Sequence, residues 1–327
     1  MQDLFGRTID YLRISVTDRC PARCIYCMPD ANVNWLHHSE ILSFEEMLRI
    51  SALMAELGIK KIKVTGGEPL ARRGVIPFIE RLTKISGIEK VSLTTNAIFL
   101  DDHLSSLILA GISAINISLD TLNEETFRRI TRTNAFAKVC NGLAAALDAG
   151  IQVKINCVPI SGYNNTDIIQ IAKLAEKNSV HVRFIELMPL GFACELNPIS
   201  PGEIFMMLEK EFGKLLVCND KLGAGPAEYF NISGFSGKIG FISALTHTFC
   251  ALCNRVRLTS AGMLKPCLAS DINIDIKSML RGGAGDFEIK DAIKKIIFEK
   301  PPAHNFTADN KIHADVHKRR FMYRIGG

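Results

Sequence analysis

The chain has 327 residues, which is enough for an α/β barrel with an appended region, and its 47% hydrophobic and 22% charged residues are typical of a globular protein. No apolar run is long enough to span a bilayer, and the first fifteen residues lack the apolar core of a secretory signal, so we expect no membrane partner and a cytoplasmic location. A net charge of +5, one Trp and no basic run fit an anionic small molecule and do not favour a nucleic-acid partner.

Short β-branched runs alternate with helical patterns from the N-terminus to about Glu186. This alternation predicts βα units and a parallel sheet. The predicted strands are YLRISVT, KKIKVT, KVSLTT, AINISLD, IQVKINCV and VHVRFIEL, which end at Thr17, Thr65, Thr95, Asp120, Val158 and Leu187. Functional groups in such folds gather where the carboxyl ends of parallel strands meet, so we expect the site at these ends.

The first helix carries clear boundary signals. Ser43 and Glu46 have the spacing of a capping box, and Gly58 stands where a helix commonly ends. A later helix is predicted to end at Gly150. After Pro189 the alternation stops and Gly, Pro and Asn become more frequent. We therefore predict an incomplete (βα)6 TIM-type barrel over residues 1–199 and a C-terminal extension of different architecture over residues 200–327.

Three thiols lie within eight positions at the end of the first predicted strand, at Cys20, Cys24 and Cys27. In a reducing compartment this pattern favours metal ligation over disulfides. Zinc is one interpretation, but structural zinc sites are usually closed by four ligands, and His37 and His38 are the nearest other candidates. A 4Fe-4S cluster held by three thiolates would instead leave one iron open to an exogenous ligand.

A second set of three thiols follows a different spacing, at Cys250, Cys253 and Cys267. On its own this set is equally compatible with most of a zinc ribbon. The other four cysteines are expected to pack as small apolar side chains; they are Cys140, Cys157, Cys194 and Cys218.

The Cys-x3-Cys-x2-Cys motif, with Tyr26 before its last cysteine, resembles the signature of the radical S-adenosylmethionine superfamily. The resemblance implies that the open iron binds S-adenosylmethionine, which is split to a 5′-deoxyadenosyl radical. It also implies that four residues contact this cofactor: Tyr26, Gly67 of the TGGEP stretch, Ser118 and Met188.

Together the two triplets and the ordered stretches RISVTDRC, KVTGGEP, LTTN, INISLD, VKIN, RFIELM and FCALCNRVRLTSAG resemble one family over essentially the whole chain. That family is the molybdenum cofactor biosynthesis protein A family of GTP 3′,8-cyclases. The resemblance implies a second 4Fe-4S cluster that faces the guanine of GTP. It further implies two partners: a flavodoxin- or ferredoxin-type electron donor and a downstream cyclic pyranopterin monophosphate synthase. A homodimer is one oligomeric state that the sequence leaves open.

The same resemblance implies the residues that bind GTP. They are Arg13, Lys63, Thr94, Lys154, Arg183, Arg255, Val256 and Arg257. Several of these cations lie inside apolar strands, and burying such charges without an anion is costly, so we expect them to face a polyphosphate. Catalytic roles are implied for Arg255, Arg257 and the terminal Gly326 and Gly327. No P-loop consensus occurs, which argues against a GTPase.

Three positions depart from the family pattern, because Lys63 replaces a common Arg, Ala97 a usual Gly and Arg324 a customary Tyr. Two alternatives remain open at this point. One is another two-cluster radical S-adenosylmethionine enzyme that acts on a peptide. The other is a zinc-stabilised binding protein with a basic face.

Overall fold

The computed structural model of the chain describes residues 1–220, 222–304, 306 and 321–326. Six parallel strands pair in chain order and form its centre: β1 (Tyr11–Ser15), β2 (Lys61–Thr65), β3 (Lys90–Thr95), β4 (Ala114–Ser118), β5 (Val153–Cys157) and β6 (His181–Ile185). All six predicted strands are confirmed, and the predicted runs extend at most two residues beyond the observed carboxyl ends.

Helices connect these strands in the expected alternation: α1 (Phe44–Glu56), α2 (Val75–Thr83), α3 (Leu100–Leu109), α4 (Glu124–Thr131), α5 (Phe136–Asp148) and α6 (Ile168–Lys177). The predicted capping box of α1 is confirmed, because the Glu46 amide donates to the Ser43 hydroxyl at 3.1 Å and the Ser43 amide donates to the Glu46 carboxylate at 2.6 Å. Gly58 and Gly150 follow α1 and α5 with positive φ, as predicted for helix ends.

The region after residue 199 adds strands to both edges of the parallel sheet. Its elements are α7 (Pro201–Phe212), β7 (Leu216–Cys218), β8 (Glu228–Asn231), β9 (Ile239–Ile242), β10 (Arg255–Leu258), β11 (Met263–Lys265), β12 (Ile274–Asp275), α8 (Ile276–Arg281), α9 (Asp286–Phe298) and α10 (Met322–Ile325). Strand β9 pairs parallel with β6, and β10 pairs parallel with β1. The order in the described part of the chain is β12-β11-β10-β1-β2-β3-β4-β5-β6-β9-β8-β7, an incomplete barrel with two antiparallel flanks.

The two faces of the parallel strands differ in chemistry. In β1, Leu12 and Ile14 are fully buried in the hydrophobic core, whereas Arg13 between them lines a cavity. Successive strand side chains point to opposite faces, so the apolar set packs toward the helices and the polar set lines the interior. Among the described residues, none of the helices combines the length and apolar character needed to cross a membrane.

Candidate active site

A cavity of about 750 Å³ lies along the polar face of the sheet and is bounded by the C-terminal region. Both thiol triplets line it, together with residues from the carboxyl ends of the parallel strands. Residues at the strand ends thus line one cavity, as expected, while its identity as the active site and the roles given to single residues stay predictions. The predicted boundary at residue 199 also stays a prediction, since strands from both sides of it share one sheet.

The first triplet lies on the loop after β1. This loop turns back on itself, because the amides of Cys27 and Met28 both donate to the Cys24 carbonyl, at 2.8 and 3.0 Å. The Asn96 side-chain amide lies 3.4 Å from the Cys20 sulfur, and the Tyr323 backbone amide reaches the Cys27 sulfur. The fold thus directs hydrogen-bond donors at these sulfurs.

Burial raises the pKa of all three thiols of the first triplet. The pKa of Cys27 rises to about 12, and those of Cys20 and Cys24 are also raised, with the nearby Glu68 and Asp120 carboxylates adding to the effect of burial. Thiols in such surroundings become thiolates only when a cation binds them. This donor set fits a metal centre and does not fit a free catalytic thiol.

The second triplet is assembled from two segments. Cys250 is the first residue of a single 3₁₀ turn and Cys253 follows its last residue, and the β10–β11 hairpin brings Cys267 beside them. Burial acts to raise the pKa of Cys253, but the charges of Arg255 and Lys300 and hydrogen bonds from Arg255 outweigh it and lower the pKa to about 7. This triplet therefore lies in an electropositive environment.

Three thiols per site fit an iron–sulfur cluster with one open iron. No further cysteine of the described chain lines the cavity. His37 and His38 are exposed, and His37 caps a short 3₁₀ helix instead of joining the first triplet. In the described ranges, no group of three or more His, Cys, Asp or Glu side chains is arranged to hold a single metal ion.

All four residues predicted to contact the cofactor line the cavity: Tyr26, Gly67, Ser118 and Met188. The Tyr26 hydroxyl donates to the buried Asp120 carboxylate at 2.8 Å. Burial raises the pKa of Asp120 to about 6 although the hydrogen bonds from Val158 and Tyr26 act to lower it. Asp120 thereby fixes the ring beside the first triplet.

Backbone packing requires a glycine at position 67, whether or not a ligand is bound. A Cβ atom added there would lie 2.4 Å from the Arg19 carbonyl oxygen and 2.6 Å from that of Asp18. The Gly67 amide donates to the Thr17 carbonyl at 2.7 Å, and the Glu68 amide donates to the Arg19 carbonyl at 2.8 Å. The turn after β2 therefore packs directly on the backbone that leads to Cys20, with no space for a side chain.

Seven of the predicted substrate residues line the cavity: Arg13, Lys63, Thr94, Lys154, Arg183, Arg255 and Arg257. Arg257, Arg13 and Lys63 occupy paired register positions on β10, β1 and β2. Because neighbouring strands lie about 4.8 Å apart, this register makes a row of three cations across the cavity wall. Val256 differs, since its side chain is 1% exposed and packs in the hydrophobic core on the opposite face.

These cations lower one another's pKa. Burial is the largest cause for Lys63, whose pKa falls well below its usual range, and the charges of Arg183, Arg13 and Lys154 add to it. Burial and the Arg183 charge lower the pKa of Lys154 to about 8. No described carboxylate forms an ion pair with Lys63, Lys154, Arg183 or Arg257. An anionic ligand would relieve this accumulation of charge.

The end of the described chain enters the same site. Arg257 donates to the Gly326 carbonyl at 2.8 Å, and a Cβ atom at Gly326 would lie 2.7 Å from Ser15 Cβ and 2.9 Å from Thr65 Oγ1. Gly326 also has φ of +86°, which favours glycine. The predicted Gly327 lies outside the described residues. Arg324 is exposed and donates to the Asn34 carbonyl at 2.9 Å, away from the cations.

Several cavity residues were missed by sequence reasoning. Asp120 lines the cavity and stands inside the ISLD stretch, where the sequence pointed only to Ser118. Lys300 carried no signal, since a single Lys before two prolines usually lies on the surface. Its side chain is buried beside the second triplet.

Two family profiles together cover most of the chain. The Radical SAM superfamily matches residues 14–175, and Molybdenum Cofactor Synthesis C matches residues 180–306. The first match contains Cys20, Cys24 and Cys27, and the second contains Cys250, Cys253 and Cys267.

Curated relatives agree with both matches. The chain is 42% identical over 332 residues to a protein named GTP 3′,8-cyclase from Clostridium perfringens (strain SM101 / Type A), with 100% of both chains covered. It is 47% identical over 306 residues to a protein of the same name from Thermodesulfovibrio yellowstonii, covering 92% of this chain and 94% of the relative.

Among solved structures, Streptococcus suis SuiB bound to S-adenosylmethionine matches with a TM-score of 0.61 at 14% identity. The match covers 92% of this chain and 77% of that one. SuiB bound to its precursor peptide SuiA gives a TM-score of 0.60 at the same identity, over 93% and 76% of the two chains. At this identity the likeness concerns the fold alone.

Proposed function

The chain belongs to the GTP 3′,8-cyclase family of radical S-adenosylmethionine enzymes, and we propose that it converts GTP to (8S)-3′,8-cyclo-7,8-dihydroguanosine 5′-triphosphate in the first step of molybdenum cofactor biosynthesis. Membership implies S-adenosylmethionine and 4Fe-4S clusters as cofactors. The second cluster is consistent with the C-terminal match, which contains the second triplet.

One observation carries the proposal. Both triplets of thiols and the row of cations line the same cavity. A nucleoside triphosphate has the charge that the cations require. Neither a zinc-stabilised scaffold nor a simple hydrolase requires this combination.

The first triplet is assigned to the cluster that binds S-adenosylmethionine. Gly67, Ser118 and Met188 line the adjoining wall and are assigned to cofactor contacts, and the Asp120–Tyr26 hydrogen bond fixes the aromatic ring of the motif. When bound, the cofactor and cluster supply the radical that removes a hydrogen atom from the substrate. The protein's own contribution is a cavity whose thiols and ring are held by hydrogen bonds.

Arg13, Lys63, Lys154 and Arg183 are assigned to the triphosphate, with Thr94 beside them as an uncharged donor. A charge-assisted hydrogen bond contributes about 1.5 to 3 kcal/mol, so several of them would fix the nucleotide along the cavity. Lys63 keeps the positive charge of the family's usual Arg but loses its bidentate geometry. Val256 can contact GTP only through its backbone, because its side chain lies in the core.

The second triplet is assigned to the cluster that faces the guanine. Arg255 lies 3.7 Å from the Cys253 sulfur and packs over the Phe249 ring, which holds its guanidinium at the cavity wall. Arg257 binds the Gly326 carbonyl and so fixes the tail at the cation row. These contacts support catalytic roles for Arg255, Arg257 and Gly326 in orienting the nucleotide for closure of the C3′–C8 bond. The predicted role of Gly327 stays a proposal without structural support.

The remaining partners follow from the proposed reaction. One electron and one proton complete the product, so we propose a flavodoxin- or ferredoxin-type donor. A cyclic pyranopterin monophosphate synthase would receive the product. A cytoplasmic location and a homodimer complete the proposal.

The alternative is a peptide substrate, since SuiB has the same fold and was solved with a precursor peptide. Four of the cavity cations form no ion pair with a described carboxylate: Lys63, Lys154, Arg183 and Arg257. This favours GTP, because a neutral peptide would leave their charge uncompensated in the cavity. The test is anaerobic incubation of the reconstituted chain with GTP, S-adenosylmethionine and dithionite. We expect 5′-deoxyadenosine and a cyclised nucleotide, neither of which a Cys24→Ala control should form. Turnover of a peptide without any effect of GTP would contradict the proposal.

A further inference from the structure

Two buried cations outside the predicted site surround the second triplet. Lys300 follows α9 and is 2% exposed, and Arg7 lies in the segment before β1 and is 8% exposed. Lysine is almost never fully buried unless its charge is compensated. The described residues include no carboxylate in an ion pair with Lys300.

The Lys300 ammonium joins the two segments that carry Cys253 and Cys267. It donates to the Arg255 carbonyl at 2.8 Å and also to the Pro266 carbonyl. Arg255 lies two positions after one cysteine, and Pro266 immediately precedes the other. One side chain therefore sets the separation between two thiol-bearing backbones that are fourteen positions apart in the sequence.

Arg7 holds the backbone of the third cysteine, Cys250. Its guanidinium donates to the Cys250 carbonyl at 2.8 Å and to the Lys300 and Pro301 carbonyls at 3.1 and 2.7 Å. Its Nε donates to the Asp3 carboxylate at 2.5 Å, which balances the charge of Arg7. Arg7 thus connects the backbone of Cys250 to the backbone of Lys300.

The local sequence explains why Lys300 turns inward. Pro301 and Pro302 follow it, and proline cannot continue the hydrogen-bond ladder of α9. The chain leaves the helix there, and the amide of His304 reaches the Cys250 sulfur. The segment from Lys300 to His304 consequently wraps the second triplet.

We propose that Lys300 and Arg7 form a clamp that holds the three thiols at the separation a cluster needs and places a fixed positive charge beside it. Burial lowers the pKa of Lys300, and negative charge on the Cys253 and Cys267 sulfurs acts to raise it. A cluster bound there would provide the compensation that no carboxylate gives. Hydrogen bonds and charges around cluster sulfurs set reduction potentials, so the clamp also makes this cluster easier to reduce.

This inference rests on the proposed function, because it requires a cluster at the second triplet. The test uses the full chain with Cys24→Ala, so that iron reports the second centre alone. We expect about four irons per chain in this background and fewer than about two when Lys300→Met is added. Lys294→Met, on the exposed face of α9, is the matched control and should keep the full iron content.

Two further measurements separate positioning from folding. With Cys24 restored, Lys300→Met should still cleave S-adenosylmethionine at the first cluster, at the wild-type rate. The cluster that remains at the second triplet should have a more negative reduction potential and an altered electron paramagnetic resonance spectrum. Lys300→Arg keeps the charge and should restore the potential in part.

The outcomes show whether the clamp proposal alone has failed or the proposed function has failed with it. Unchanged iron, spectrum and potential in Lys300→Met would overturn the clamp and leave the proposed function intact. Equal losses at both centres would also overturn it, since they would assign Lys300 to general stability. If the Cys24→Ala chain bound no cluster, both the clamp and the proposed second cluster would be refuted.

Discussion

Gly67→Ala tests whether the turn after β2 requires glycine for its own packing, independently of S-adenosylmethionine binding. The new methyl group would lie 2.4 Å from the Arg19 carbonyl oxygen, about 1 Å inside the 3.4 Å at which ordinary contact begins. The backbone of residue 67 fixes the position of the new Cβ, and the atom that it meets belongs to the Arg19 backbone. No side-chain rotation can therefore relieve the contact. The segment before Cys20 must move, and the first triplet moves with it.

The size of the effect follows from these contacts. Overpacking in a tight interior typically costs about 1 to 3 kcal/mol. Separation of the two backbones would also weaken the Gly67–Thr17 and Glu68–Arg19 hydrogen bonds, each worth about 0.5 to 1.5 kcal/mol. We expect a loss of roughly 2 to 5 kcal/mol in the free energy of unfolding, or about 3 to 7 °C in Tm for a chain of this length.

The assay is thermal unfolding of the metal-free chain, followed by iron analysis after reconstitution. The matched control is Gly202→Ala near the start of α7, where the added Cβ would meet no atom within 4 Å beyond its chain neighbours and the backbone of its own helix. The control should keep Tm and iron content, while Gly67→Ala should lower both. Wild-type Tm and iron in Gly67→Ala, with only S-adenosylmethionine binding weakened, would refute this reasoning.

Two further predictions concern the cations. Lys63→Met should stabilise the ligand-free chain by roughly 1 kcal/mol, because it removes a buried amine that has no ion-pair partner among the described carboxylates. It should also weaken GTP binding about 10- to 100-fold. Thermal melts and calorimetry check this, and Lys84→Met on the surface should change neither. Lys154 has a pKa near 8 in the folded chain against 10.5 ordinarily, so the unfolded chain binds more protons between these values. The stability of the ligand-free chain should therefore increase as pH increases from about 8 to 10.5, with a smaller increase in Lys154→Met; equal pH slopes for the two chains would contradict this.

Much of the barrel could be predicted because its signals are local. β-branched runs and helix caps identify β1 to β6 and α1 without knowledge of any partner. The predicted strands overshoot at Thr17, Asp120 and Leu187, because these residues follow the β-branched runs but lie past the last paired positions. The attachment of β9 and β10 could not be predicted, since nothing in IGFI or RVRL specifies which sheet edge will accept them.

In the site, too, some residues have a local sequence signal and others do not. Cysteine spacing located both thiol triplets, and strand-end motifs located residues assigned to cofactor contacts, because these patterns are visible in the sequence. Strand alternation could also have placed the Val256 side chain in the core, opposite Arg255 and Arg257. Lys300 and Arg7 could not be found this way, because each acts on backbone carbonyls far from it in the sequence. Such contacts depend on tertiary structure alone.

The most direct test of the central claim is isotope transfer from the ribose. GTP deuterated at the 3′ position is incubated anaerobically with the reconstituted chain, S-adenosylmethionine and dithionite. One deuterium should appear in 5′-deoxyadenosine for each cyclised nucleotide formed. Formation of 5′-deoxyadenosine without deuterium, whether or not GTP is consumed, would contradict the account.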